Sequence, residues 1–140
     1  MRSRKGFTLI ELVVVVTILG VLAAIGLENW ISMQARAKEA SVKSNAHTVQ
    51  LTVEDFAVQN EGVYATDRTT PALSSGQKLV DLFPTNMTNP FDPAGNVVVD
   101  GAPGADGEIG YDTAGKVGFG YTIGGKGEGG QVVITLTNGS

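Results

Sequence analysis

The 140-residue sequence predicts an α+β protein in which a long N-terminal α-helix packs on a small C-terminal antiparallel β-sheet, the first half of the helix being of transmembrane type. Three observations predict it. From Phe7 to Leu27 run 21 residues of which only Glu11 is charged. Between Gly26 and Gly62 there is neither proline nor glycine, so nothing stops a helix. From Gly95 onward lie 14 of the 19 glycines, interleaved with β-branched and aromatic residues, the pattern of short strands joined by turns. The organisation that follows is a leader over 1–6, a membrane-length helix over 7–27, an amphipathic continuation over 28–61, a connecting region over 62–96 and a sheet over 97–140.

The helix leaves about 80 residues for a globular part, enough for one small domain. Without cysteines the chain has no disulfide framework and no thiolate metal site. The formal charge is −4, and loss of Arg2, Arg4 and Lys5 with the leader brings Lys and Arg from 10 to 7 against 14 acids, or −7. No nucleic-acid role is expected from that balance.

Residues 1–6 carry Arg2, Arg4 and Lys5, and basic residues favour the cytoplasmic side, so the N-terminus is expected inside and the chain after Leu27 outside. At about 1.5 Å per residue, 7–27 spans roughly 32 Å as a helix, matching a bilayer's hydrocarbon thickness of about 30 Å. Glu11 is the odd residue, because an ionised carboxylate in hydrocarbon is costly and marks a functional position. No Lys, Arg or His lies between Phe7 and Asn29 to neutralise it. Cleavage between Gly6 and Phe7 would create the missing cation, an ammonium about 6 Å of helix rise from Glu11. A second helix shifted by that amount would set its Glu11 beside the new amine, and two groups too costly to bury singly would neutralise each other. Processing and side-by-side polymerisation are therefore expected. The alternative, a secretory signal peptide cut after Ala24-Ile25-Gly26, fits poorly with a charge inside the run and with its length.

The run Arg4-Lys5-Gly6-Phe7-Thr8-Leu9-Ile10-Glu11-Leu12, followed by an unbroken apolar helix, resembles the prepilin signature of type IV pilins and type II secretion pseudopilins. The resemblance covers residues 4 to about 30 closely and the rest in architecture only. It implies a pilin-like fold, cleavage after Gly6 by an inner-membrane prepilin peptidase, N-methylation of Phe7, and assembly through Glu11 into a helical homo-oligomer driven by an inner-membrane platform and an ATPase. A proline common near the end of this helix in the family is replaced by Glu28, so any loosening falls to Gly20 and Gly26.

Beyond Glu28 the helix turns amphipathic: Val42, Ala46, Val49, Val53 and Phe56 recur at spacings of four and three. This single stripe is expected to face the sheet rather than a coiled-coil partner, since sustained heptads are missing. Asn60 and Gly62 mark its end. The connecting region holds Pro71, Pro84, Pro90 and Pro93, with a short serine-capped helix expected between Ser75 and Phe83. Strands are expected at Val97–Val99, Ile109–Tyr111, Val117–Ile123 and Val132–Leu136. The third would set Val117, Phe119, Tyr121 and Ile123 on one face.

Gly120–Gly127 nearly spells a phosphate-binding loop, but a strand pattern follows where a helix is required, so the segment reads as a long hairpin turn and nucleotide binding is not expected. Asp100, Asp106, Glu108 and Asp112, together with Asp92, put carboxylates in the turns, and the resemblance to major pseudopilins makes them weak candidates for a structural calcium. The spacing lacks the Asp-x-Asp-x-Asp-Gly run of an EF-hand, and no cofactor is otherwise expected. His47, the single histidine, has no partners at triad spacing, and no enzyme constellation is present. Asn86-Met87-Thr88 and Asn138-Gly139-Ser140 match the glycosylation triplet.

The reading is a structural subunit, a type IV pilin that leaves the inner membrane for an extracellular pilus. The alternative is a pseudopilin of a type II secretion system, placed in a periplasmic pseudopilus. A remoter one, a monomeric membrane-anchored binding domain, leaves Glu11 unexplained.

Overall fold

The structure, a computed structural model, describes residues 6–113, 115 and 118–138, with Glu28 described by its backbone alone. The basic leader residues, the expected strand position Val117, and Gly139 and Ser140 of the second glycosylation triplet lie outside the described residues. Helix α1 spans Leu9–Gln59 and helix α2 Leu79–Leu82; strands β1 (Val98–Asp100), β2 (Ile109–Asp112), β3 (Thr122–Lys126) and β4 (Val132–Thr137) follow, with a 3-10 turn at Glu128–Gly130. The chain forms two compact units, Met1–Ala35 and Arg36–Ser140.

In the first unit, α1 is helical without interruption through Gly20 and Gly26, and a side chain at either glycine would meet nothing within 4 Å. Neither glycine is demanded by packing within this chain. Every described residue from Gly6 to Gln34 is exposed.

In the second unit the amphipathic stripe is used as its spacing predicts. Val42, Ala46, Val49, Val53 and Phe56 are all buried and form one core with Ile109, Tyr111 and Ile123 of the sheet. The helix ends where expected: Gly62 N–H closes on Ala57 O at 2.8 Å, with Glu61 (φ 58°) and Gly62 (φ 86°) in left-handed geometry. Buried Asn60 ties this end to the connecting region, donating to Phe56 O (2.7 Å) and accepting from Leu73 N–H. There the expected helix is shorter than its sequence suggests. Ser75 caps nothing, accepting only Gln77 N–H in a turn, and α2 starts at Leu79 with Lys78 N–H on the Asp81 carboxylate.

The sheet corrects the expectation twice. Its strand order is β1-β2-β3-β4, and it is mixed rather than antiparallel, because β1 pairs parallel with β2 (Val98 opposite Ile109) while the other pairs are antiparallel. Residues 101–108 make that crossover over the sheet face. Gly110 leaves the room, since a Cβ there would collide with Gly101 O and Pro103. The third strand is also displaced: it begins at Thr122 and runs through Gly124, Gly125 and Lys126, so the expected hairpin turn is strand. Glycine is required there by proximity to α1, because a Cβ on Gly125 would lie 2.9 Å from Val42 and 2.7 Å from Ile134. Gly118 (φ 80°) turns the chain, and Phe119 is 83% exposed instead of facing the core.

Candidate functional site

Glu11 sits in the first turn of α1, and the local geometry is a reciprocal cap. Residues 6–8 are not helical and Leu9 opens the helix, which makes Thr8 the N-cap residue. Thr8 N–H and Thr8 Oγ1 both donate to Glu11 Oε2 at 2.8 Å, while Glu11 N–H donates to Thr8 Oγ1 at 3.3 Å. This is the threonine-x-x-glutamate capping box, which satisfies backbone donors that a helix start otherwise leaves open. Thr8 is the site residue missed by reading Glu11 for its charge alone; the three-residue spacing carries the signal.

Two consequences follow for the neighbouring groups. Both Thr8 donors fall on Oε2, so among the described residues Glu11 Oε1 accepts no hydrogen bond. The carboxylate keeps an open lone-pair face beside Phe7, Ile10, Val14 and Val15. The Gly6–Phe7 bond lies outside the helix, in backbone that the cap keeps from winding into it. Phe7 is 75% exposed, and a side chain at Gly6 would meet nothing within 4 Å. Nothing among the described residues demands glycine at position 6.

The acidic residues of the second unit are dispersed. Asp100 takes Arg68, with Nε 3.2 Å from Oδ2 and the backbone N–H on Oδ1 at 2.9 Å. Asp106 accepts Gly129 N–H (2.9 Å) and Gly130 N–H (2.8 Å), and Glu108 accepts Gly104 and Ala105 N–H, both at 2.8 Å. Asp112 closes β2 on the solvent side. Among the described residues no three His, Asp or Glu side chains converge as a metal site. The phosphate-loop mimic resolves similarly, since the amides after Gly127 face the Asp106 carboxylate and Lys126 Nζ donates to Gly104 O at 2.8 Å. His47 and Asn86 are exposed.

A second polar cluster joins α1 to the sheet. Glu54 accepts Tyr121 Oη (2.5 Å) on one oxygen and Tyr64 Oη (3.0 Å) on the other, and Tyr111 Oη donates to Ala65 O. The rings of Tyr64 and Tyr121 meet edge-on at 5.1 Å, and those of Tyr111 and Tyr121 lie 6.4 Å apart. Burial first, then the Glu54 hydrogen bond, push the Tyr121 phenol up to about 12; burial pushes Tyr111 and Tyr64 up as well.

A capped, membrane-length helix carrying one N-terminal carboxylate, followed by an α+β head, defines a pilin-like anchored subunit. The pattern described as the prokaryotic N-terminal methylation motif matches residues 1–27. The type II secretion system core protein G of Vibrio cholerae is 30% identical over 139 residues, covering 94% of this chain and 92% of that protein. The type IV major pilin protein PilA of Myxococcus xanthus is 46% identical over 52 residues, 37% of this chain and 24% of that one. The type IV narrow pilus major component PilA5 of Thermus thermophilus is 36% identical over 64 residues, 46% and 55% of the two chains. This chain thus spans from about a quarter to about half of those two pilus proteins. No solved structure matches it. The chain belongs to the family of type IV pilins and type II secretion pseudopilins.

Proposed function

We propose that the chain is a structural filament subunit, a type IV pilin, cut after Gly6, methylated on Phe7 and polymerised through Glu11. The observation that carries this is the state of Phe7–Leu27: every residue is exposed, with a single carboxylate half-engaged by its own cap. Each large apolar side chain there gains about 1.5–3 kcal/mol on leaving water, so the stretch belongs in lipid or among other helices. Exchanging lipid for neighbouring helices brings no hydrophobic gain, which leaves polar pairing to choose the register. Glu11 Oε1 is the acceptor open to the Phe7 ammonium of another copy, and Thr8 holds the carboxylate towards it.

On this reading the subunit waits in the inner membrane with its N-terminus inside. A prepilin peptidase reads the non-helical Gly6–Phe7 segment, and an assembly platform with its ATPase extracts the cut chain. The subunit is not a catalyst. One observation favours a second reading, a pseudopilin: the match to the secretion core protein runs along nearly the whole length of both chains. Extracellular filaments would support the pilin; filaments confined to the periplasm, with secretion lost on deletion, would support the pseudopilin.

Intact mass and N-terminal sequencing of the protein from its own cells test the common step. A chain starting at methylated Phe7 is expected. A chain starting at Leu27 would make it an ordinary secreted domain and overturn the proposal.

A further inference from the structure

The two edges of the sheet are not alike. Strand β1 has three residues, and its outward carbonyl at Val98 accepts the Arg68 guanidinium while Asp100 accepts Arg68 N–H. That edge is closed. Strand β4 is twice as long, and among the described residues nothing bonds its outer side. Lys126 N–H bonds Glu108 O on the β2 side, so backbone alternation turns Ile123 and Gly125 towards β4 and their partners Ile134 and Leu136 back towards β3. Thr135 and Thr137 therefore point N–H and C=O away from the sheet, and among the described residues neither group has a partner. An open, uncharged, β-branched edge is one that soluble proteins ordinarily cover or charge.

We propose that the outer edge of β4 pairs antiparallel with β4 of a second copy of this chain, Thr135 facing Thr135 across a two-fold axis. Several features of the strand select this occupant. Alternation requires outward residues to meet outward residues, and a pair centred on Thr135 meets that rule within the regular stretch Ile134–Thr137, which a bulge at Val133, opposite Gly125 and Lys126, bounds on its N-terminal side. No charge occurs from Gln131 to Asn138, so two copies of a chain of formal charge −4 approach there without local repulsion, while a charged peptide would find nothing to pair with. The strand also carries an unpartnered apolar side chain at each end. Val132 is 64% exposed at its start, and exposed Phe119 lies at its finish, where Asn138 Nδ2 donates to Phe119 O at 3.0 Å. The two-fold turns the Val132 end of each strand towards the end of the other copy's strand where Phe119 lies. Threonine opposite threonine is a favourable cross-strand pair.

A six-residue edge is far smaller than the roughly 1,200 Å² of a stable interface, so the contact gains strength only where many copies are arrayed. A polar helical filament contains no such two-fold between its own subunits, which places the contact between filaments. That placement rests on the filament reading; the pairing itself does not.

The sequence has no cysteine, so single thiols report the register directly. Full-length Thr135→Cys and Thr137→Cys chains, in membranes and in filaments, are treated with a short bifunctional thiol reagent. Dimers are expected at position 135 and not at 137, where the paired positions lie roughly 13 Å apart along the strands. Thr135→Lys should leave single filaments and abolish their side-by-side bundling. Monomeric Thr135→Cys, equal linking at both positions, or bundling unaffected by Thr135→Lys would overturn the proposal. Absence of filaments from the native chain would count against the filament reading instead, with cross-linking in membranes still deciding the strand pairing.

Discussion

One helix, α1, is treated in two opposite ways along its length. From Leu9 to Gln34 its described residues are all exposed; from Val42 to Phe56 one stripe is fully buried by the chain's own sheet and loops. Both stretches carry apolar side chains that need cover, and they differ in pattern. The first is apolar all round, which no small domain can cover, and it must be housed by lipid or other subunits. The second is apolar on one side and is satisfied within its own chain. A single charged group, Glu11, breaks the uniformity of Leu9–Leu27, and on the proposed reading specificity there falls to it and to its cap.

Equal truncations in the two halves should separate them most widely. Phe56→Ala is expected to cost the Arg36–Ser140 unit about 3–5 kcal/mol, seen in thermal or denaturant unfolding. Leu19→Ala, at a site 58% exposed, should leave that unfolding unchanged. Smaller is Gly125→Val, which forces β3 away from Val42 and Ile134 and should destabilise by about 1–3 kcal/mol.

Alkali should act on the second unit through its tyrosines. Their phenols titrate higher in the fold than at the unfolded value of about 10, so the neutral form is favoured by folding. That contribution is whole below pH 10 and is lost as pH rises through about 12, the folded value of Tyr121. Unfolding temperature should therefore fall over this window, and Tyr121→Phe should flatten the fall. Membrane insertion of the first half should not change over it. Calcium should have the least effect: with Asp106 and Glu108 already on backbone amides, added calcium or a chelator is expected to leave calorimetric unfolding unmoved.

Legibility followed the same division. The helix and its buried stripe were plain, because period and the absence of breakers report directly on a single element. The glycine-rich segment misled, since glycine marks a turn in isolation, whereas at Gly125 it answers close approach of Ile134 and of Val42 on α1, a tertiary fact. The parallel pairing of β1 with β2 depends on how 101–108 crosses the sheet, which no local pattern encodes. Thr8 was legible by spacing and obscured by the charge of Glu11.

In the proposed assembly Glu11, held by Thr8, selects the register between subunits. Glu11→Ala in cells tests this most directly, comparing membrane-inserted subunit with assembled filament. Normal amounts of processed, membrane-held protein with filaments lost would match the account. Filaments at native levels without the carboxylate would contradict it.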